Sequence, residues 1–186
     1  MNIGITIDGY GFVIPSFPHA AYLHYTISVR NSSAMEKERL MNEPEMTTWD
    51  GKTVSRTEPH GASIIVYRQN DKVIELLILH RAHADEPNGD WAWTPPSGAR
   101  YPGEEPADCA RRELWEETGL RLDIRYIPRA VQSWYLYAAQ AAPHDEIVLD
   151  GEHDQYAWAP VAEAVRRCRP APVSDGIQTV VDALGL

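Results

Sequence analysis

Cysteine is scarce in this chain: Cys109 and Cys168 stand far apart among 186 residues and match no metal-ligand spacing. That argues against a disulfide framework and against a thiolate zinc site. Long apolar runs are missing as well; none approaches the roughly twenty residues a membrane helix requires, so no membrane partner is expected. Positive charge is in deficit, with 17 Lys and Arg against 27 Asp and Glu and a net charge of −10. A broad electrostatic grip on nucleic acid is thereby disfavoured, although a local basic pocket can still hold a small polyphosphate. No basic-then-apolar leader opens the chain, and with two cysteines this points to a reduced, cytoplasmic protein. What is present, 44% hydrophobic and 24% charged residues, suffices for one domain with appendages and a core that needs no staples.

Residues 1–45 differ from the rest. They mix short β-type runs with Gly, Pro and Ser breaks and then turn polar. Methionines at 35, 41 and 46 leave two readings open: a natural start further downstream, or an added hairpin or partner-binding arm. From Gly61 two β-rich runs flank the polar turn Gln69–Lys72, which reads as a hairpin. The stretch DWAWTPPSGARY, broken by Pro95, Pro96 and Gly98, predicts a short strand running into a tight loop, with Trp91 and Trp93 on one face. A helix follows, with Pro106 in its first turn, Glu104, Glu105 and Asp108 at its positive end, and Gly119 as its left-handed cap. Further strands are expected in 121–128, 130–140 and around 146–160, then two terminal helices, the second capped at Ser174 or Asp175. This order favours an α/β or α+β sandwich with a mixed sheet.

The central helix is unusual in gathering acids toward its C-terminal end, where the macrodipole disfavours them. At about 100° per residue, Glu116 and Glu117 lie about 60° behind and 40° ahead of Glu113, so the three carboxylates share one arc. Ala107, Ala110 and Leu114 form the neighbouring, sheet-packing face. Two readings follow. Arg112 stands four residues before Glu116 and can pair with it, as on an ordinary solvated face. Alternatively, the glycine-containing loop before the helix turns backbone carbonyls toward the acids and completes an oxygen-rich site of the kind Mg²⁺ or Mn²⁺ takes.

The spacing Gly98, five residues, Glu104, seven residues, Arg112-Glu113-Leu114, one residue, Glu116-Glu117, one residue, Gly119-Leu120 resembles an uninterrupted Nudix box. The resemblance covers residues 59–186 and implies a Nudix-type α/β/α sandwich. It also implies a metal-dependent hydrolase of nucleoside diphosphates linked to another moiety. On that resemblance Glu116 and Glu117 are the principal metal ligands. Glu113 is a third ligand or the base for the attacking water, and the Ser97 carbonyl completes the shell. Gly98, Glu104, Arg112 and Gly119 hold the motif in shape, Arg112 by orienting the carboxylates. Family members often recruit a further glutamate, for which Glu152 is the candidate and Asp154 a weaker one. The cofactor expected is Mg²⁺, with Mn²⁺ as a substitute.

For the substrate, Tyr137 beyond the box and Tyr156 within Glu152-His153-x-x-Tyr156-x-Trp158 resemble features of dinucleoside tetraphosphate hydrolases, Tyr156 as a stacking surface for adenine. Alternation of Trp134, Tyr135 and Tyr137 is also what strand packing produces. A nucleoside triphosphate pyrophosphatase, or a nucleotide-sensing module without catalysis, remains an alternative; such modules typically lose box carboxylates that this chain keeps. The proline that marks the ADP-ribose branch is replaced by the region Trp134–Leu136, which disfavours that substrate. Arg81, ending a strand, and Arg100, inside the box loop, are candidates to face the cleft and hold outer phosphates. His80 and His83 lack a third zinc ligand and receive no role. Nothing in the sequence fixes the oligomeric state, and a homodimer stays open.

Overall fold

The computed structural model describes residues 43–48, 51–129 and 133–186. The expectations for residues 1–45 therefore lie outside the described residues, apart from Glu43 to Glu45. The expected hairpin is present as β3 (Gly61–Asn70) and β4 (Val73–Arg81), paired from Tyr67↔Leu76 to Asn70↔Val73. Away from the turn the two strands part. β3 takes β6 (Ser97–Ala99) as its antiparallel partner, while β4 takes β5 (Trp93–Thr94). Pro95 and Pro96 sit between these short strands, where the ladder needs no N–H from them; the Pro96 carbonyl accepts the Ile64 N–H at 2.8 Å.

Three further strands complete a mixed seven-stranded sheet. β8 (Trp134–Gln140) runs parallel to β3, β7 (Ile124–Ile127) antiparallel to β8, and β9 (His153–Pro160) antiparallel to β4. The strands alternate with period two. Ala62, Ile64, Val66, Leu77, Leu79, Tyr137 and Ala139 pack with Cys109, Ala110 and Leu114 of α1 (Pro106–Thr118). Ile65, Leu76, Ile78, Leu136 and Ala138 pack with α2 (Val161–Arg167) and α3 (Ala171–Leu184) through Ala164, Ile177 and Val180. The result is an α/β/α sandwich. Each fully buried aliphatic side chain contributes about 1.5–3 kcal/mol, so the two clusters fix α1 and the α2–α3 pair on opposite faces.

The marked limits of α1 hold: Pro106 opens it, and Gly119 closes it at φ +72° with its N–H donating to the Trp115 carbonyl at 2.8 Å. Two local expectations need correction. The last helix starts at Ala171 on Pro170, not at Ser174 or Asp175. Prolines at 170 and 172 suit a first turn that needs no N–H donors, and the Ser174 hydroxyl instead donates back to the Ala171 carbonyl. Trp91 and Trp93 do not share a face. β5 begins only at Trp93, which is buried, whereas Trp91 sits at φ +66° before it and is 54% exposed.

A second, two-stranded sheet was not anticipated from the sequence: β1 (Glu45–Thr47) and β2 (Thr53–Ser55) form an antiparallel hairpin. Its base is tied to the end of β6, because the Ser55 N–H donates to the Arg100 carbonyl at 2.7 Å.

Candidate active site

The fork in the sheet decides where the site lies. By parting, β3 and β4 admit residues 93–99, and the backbone at Ser97–Gly98 comes against the C-terminal half of α1. The Ser97 N–H donates to Glu117 Oε2 at 2.9 Å. At Gly98 a Cβ would lie 2.0 Å from the Glu113 carboxyl carbon, so any side chain here would move that carboxylate from its place. The loop leading to β9 supplies the opposite rim. Val148 N–H donates to the Thr118 carbonyl at 2.9 Å and Ala82 N–H to the Glu152 carbonyl at 2.9 Å, which brings Asp150 and Glu152 to the cleft.

Arg112 organises the acids. Nε and Nη2 grip the two Glu104 oxygens at 2.8 and 2.9 Å, Nη1 donates to Glu113 at 2.5 Å and to Glu116 at 3.2 Å, and Nη2 reaches the Ala99 carbonyl at 3.0 Å. Its guanidinium also lies 4.1 Å from the Tyr101 ring centroid. Such a bidentate fork gives direction as well as charge. Sequence reasoning missed His153, which is buried between Asp150, 3.0 Å from Nδ1, and Glu117, 4.0 Å from Nε2. The only sequence signal for it was its place beside Glu152.

Burial pushes Glu117 well above the ordinary carboxylate range, and the charges of Glu113, Asp150 and Glu152 add to this against the Ser97 hydrogen bond. Glu113 is raised too, by burial that its Arg112 partner only partly offsets. A buried acid surrounded by other acids is short of positive charge, and Arg112 is already shared with Glu104. The donor set is entirely oxygen, as hard divalent cations require, so these residues fit a Mg²⁺ or Mn²⁺ ion in chemistry. As placed, no three acidic, histidine or cysteine side chains among the described residues converge on one point; Arg112 draws Glu113 and Glu116 aside while Ser97 holds Glu117.

The cleft itself is about 490 Å³ and is lined by the box acids, by Arg81, Ser97 and Gly98, and by the indoles of Trp91 and Trp134. Arg81 thus lines the cleft. Arg100 does not. Its side chain is 2% exposed, and its guanidinium is committed to Glu43, Ser55 Oγ at 2.9 Å, the Glu104 carbonyl at 2.9 Å and the Pro59 carbonyl at 3.0 Å. It is turned from the cleft because it points toward the β1–β2 segment, which the sequence did not reveal. Tyr137 is also corrected: only 5% exposed, it lies on the α1 face with the core, its ring 5.6 Å from that of Tyr126. The cleft instead takes the alternate β8 residues Trp134 and Leu136. Tyr156, on β9, pairs with Leu79 of β4, is 45% exposed and does not line the cleft. Asp154 is held by His80 at 2.6 Å. Both cysteines are buried thiols pushed up to about 12 by that burial, which leaves them without nucleophilic character.

This geometry can be set beside known proteins. A model of the NUDIX domain matches residues 57–182. The asymmetrical bis(5'-nucleosyl)-tetraphosphatase of Rattus norvegicus is 31% identical over 113 residues, covering 54% of this chain and 74% of the relative. An octanoyltransferase of Myxococcus xanthus is 26% identical over 182 residues, 90% of this chain, yet this chain spans only 50% of that relative's length. In fold, the chain is similar to the Ap4A hydrolase of C. elegans, with a TM-score of 0.55 and 23% identity over 67% of this chain and 96% of that one. The chain belongs to the Nudix family of hydrolases, which act on phosphoanhydride bonds and generally use divalent metal ions.

Proposed function

We propose that this chain hydrolyses a phosphoanhydride bond of a dinucleoside polyphosphate such as diadenosine tetraphosphate, with Mg²⁺ or Mn²⁺ as cofactor. The observation that carries this reading is the crowded acidic row of Glu113, Glu116 and Glu117, short of positive charge, opening on a cleft with two tryptophans in its wall. The rat relative's name adds the substrate class. Glu116, Glu117 and the Ser97 carbonyl are the proposed metal donors, with Glu113 beside them. The metal, when bound, neutralises the phosphate chain and acidifies a water. Glu113, its proton affinity raised by burial, accepts the water's proton; Glu152 is the second candidate for that task. Arg112 keeps the carboxylates aimed, and Arg81 meets a phosphate oxygen. Trp91 and Trp134 offer flat apolar surfaces on which adenine stacks.

A second reading, nucleoside triphosphate pyrophosphatase, is kept because Tyr137 is buried and Tyr156 lies off the cleft, which removes two features that pointed to dinucleoside substrates. Incubating the protein with dinucleoside polyphosphates, nucleoside triphosphates, ADP-ribose and sugar nucleotides in Mg²⁺ and in Mn²⁺, with products separated by chromatography, decides between them. ATP plus AMP from diadenosine tetraphosphate is the expected result. Pyrophosphate from triphosphates alone replaces it with the second reading, and no turnover of any nucleotide overturns both.

A further inference from the structure

We propose that the β1–β2 hairpin is a substrate-gripping arm of the cleft and that Lys52, at its turn, binds the phosphate chain by exchanging Glu152 for a phosphate oxygen. The inference rests on the polyphosphate reading above and extends the functional unit upstream of residue 57, where the family match begins.

Three observations carry it. First, the arm's base is fixed. Buried Arg100 ties Glu43, Ser55 and Thr57 together, and the Arg56 N–H donates to the Pro44 carbonyl at 2.8 Å. Second, Thr48 just after β1 and Lys52 just before β2 are joined: Thr48 Oγ1 accepts the Lys52 N–H at 3.0 Å and donates to the Lys52 carbonyl at 3.1 Å, and Gly51 takes φ +84°. Thr48, Lys52 and Val54 consequently line the same cleft as the box acids. Third, Lys52 Nζ lies 2.6 Å from Glu152 Oε1, and both side chains are about half exposed, at 50% and 56%. An ion pair so exposed is weak and exchangeable. A polyphosphate presents several charges in place of one, and the compact ammonium on its flexible stem can follow them.

The charge balance of the cleft gives this cation a reason to be there. An anionic substrate must approach Glu113, Glu116, Glu117, Asp150 and Glu152, while Arg112 is engaged with Glu104 and Glu113. Arg81 at the end of β4 and Lys52 on the arm bring positive charge to the cleft from two different elements. Withdrawing Lys52 also releases the Glu152 carboxylate, so substrate binding and the availability of that acid are coupled through one side chain.

The test is the affinity of inorganic tripolyphosphate, with Mg²⁺ present, for the wild type, Lys52→Ala and Lys52→Arg, measured by calorimetry. Lys52→Ala is expected to weaken binding about tenfold, in keeping with the loss of one charged hydrogen bond, and Lys52→Arg to restore most of it. Unchanged affinity in Lys52→Ala, or no binding by the wild type, overturns the proposal. In kinetics the alanine variant should lose kcat/KM chiefly through KM; a fall in kcat at constant KM would mean that Lys52 only positions Glu152, and would equally overturn it. Because the affinity measurement needs no turnover, failure to cleave any nucleotide would sink the enzymatic reading without deciding this one.

Discussion

Glu117 shows how one side chain can oppose the fold that holds it. In the unfolded chain its carboxyl titrates near the ordinary value of 4.5, whereas in the folded protein burial and neighbouring acids hold the proton to higher pH. Between those two values the folded state binds more protons than the unfolded one, so the metal-free protein loses stability as pH rises through the folded value. Glu117→Gln keeps an acceptor for the Ser97 N–H and removes the charge. The metal-free variant should therefore match the wild type at pH 4 and melt higher at pH 8, by about 2–4 °C for each kcal/mol relieved in a chain of this size. Scanning calorimetry of both proteins in chelator checks this; equal Tm values at pH 8 would show that the buried charge is not destabilising. Gly98 is the complementary case, a residue whose value lies in having no side chain, since its missing Cβ is the space Glu113 occupies.

At the scale of elements, α1 and its loop work as one unit because Arg112 joins Glu104 at the helix entry to Glu113 and Glu116 further along. The β1–β2 hairpin is a separate device, held at its base by the Glu43–Arg100 pair, whose side chains are nearly inaccessible. Glu43→Gln leaves Arg100 charged and buried without its counter-ion, which costs about 3–5 kcal/mol. Urea denaturation should report a loss of that order, and a loss below about 1 kcal/mol would mean the hairpin is not anchored there. This is also where reading the sequence fell short. Arg100 has the right residue type and lies in the right loop for a phosphate contact, but its direction depends on a partner 57 positions away, at Glu43, and long-range pairing leaves no local pattern. Tyr137 failed for a related reason: strand alternation sends Trp134 and Leu136 to the cleft and Tyr137 to the opposite face, and only the pairing with β3 tells which face is which.

For the whole molecule, the sandwich was legible because its signals are local. Gly119, Pro106 and the helical spacing of Ala110 and Leu114 mark α1, and the polar turn after Asn70 marks the hairpin. The forked sheet was not legible; it follows from short strands around Pro95-Pro96 whose partners sit on β3 and β4. Yet that fork is what lets two faces of packed core end in an acid-lined cleft, and the excess of carboxylate there is the feature on which the functional account stands. Titration of Mn²⁺ followed by electron paramagnetic resonance tests it most directly, using wild type, Glu116→Gln and Glu117→Gln. The account predicts saturable binding by the wild type that weakens at least about tenfold in each variant, as expected for loss of a ligand to the metal. Equal binding by all three proteins, or none by the wild type, would contradict it.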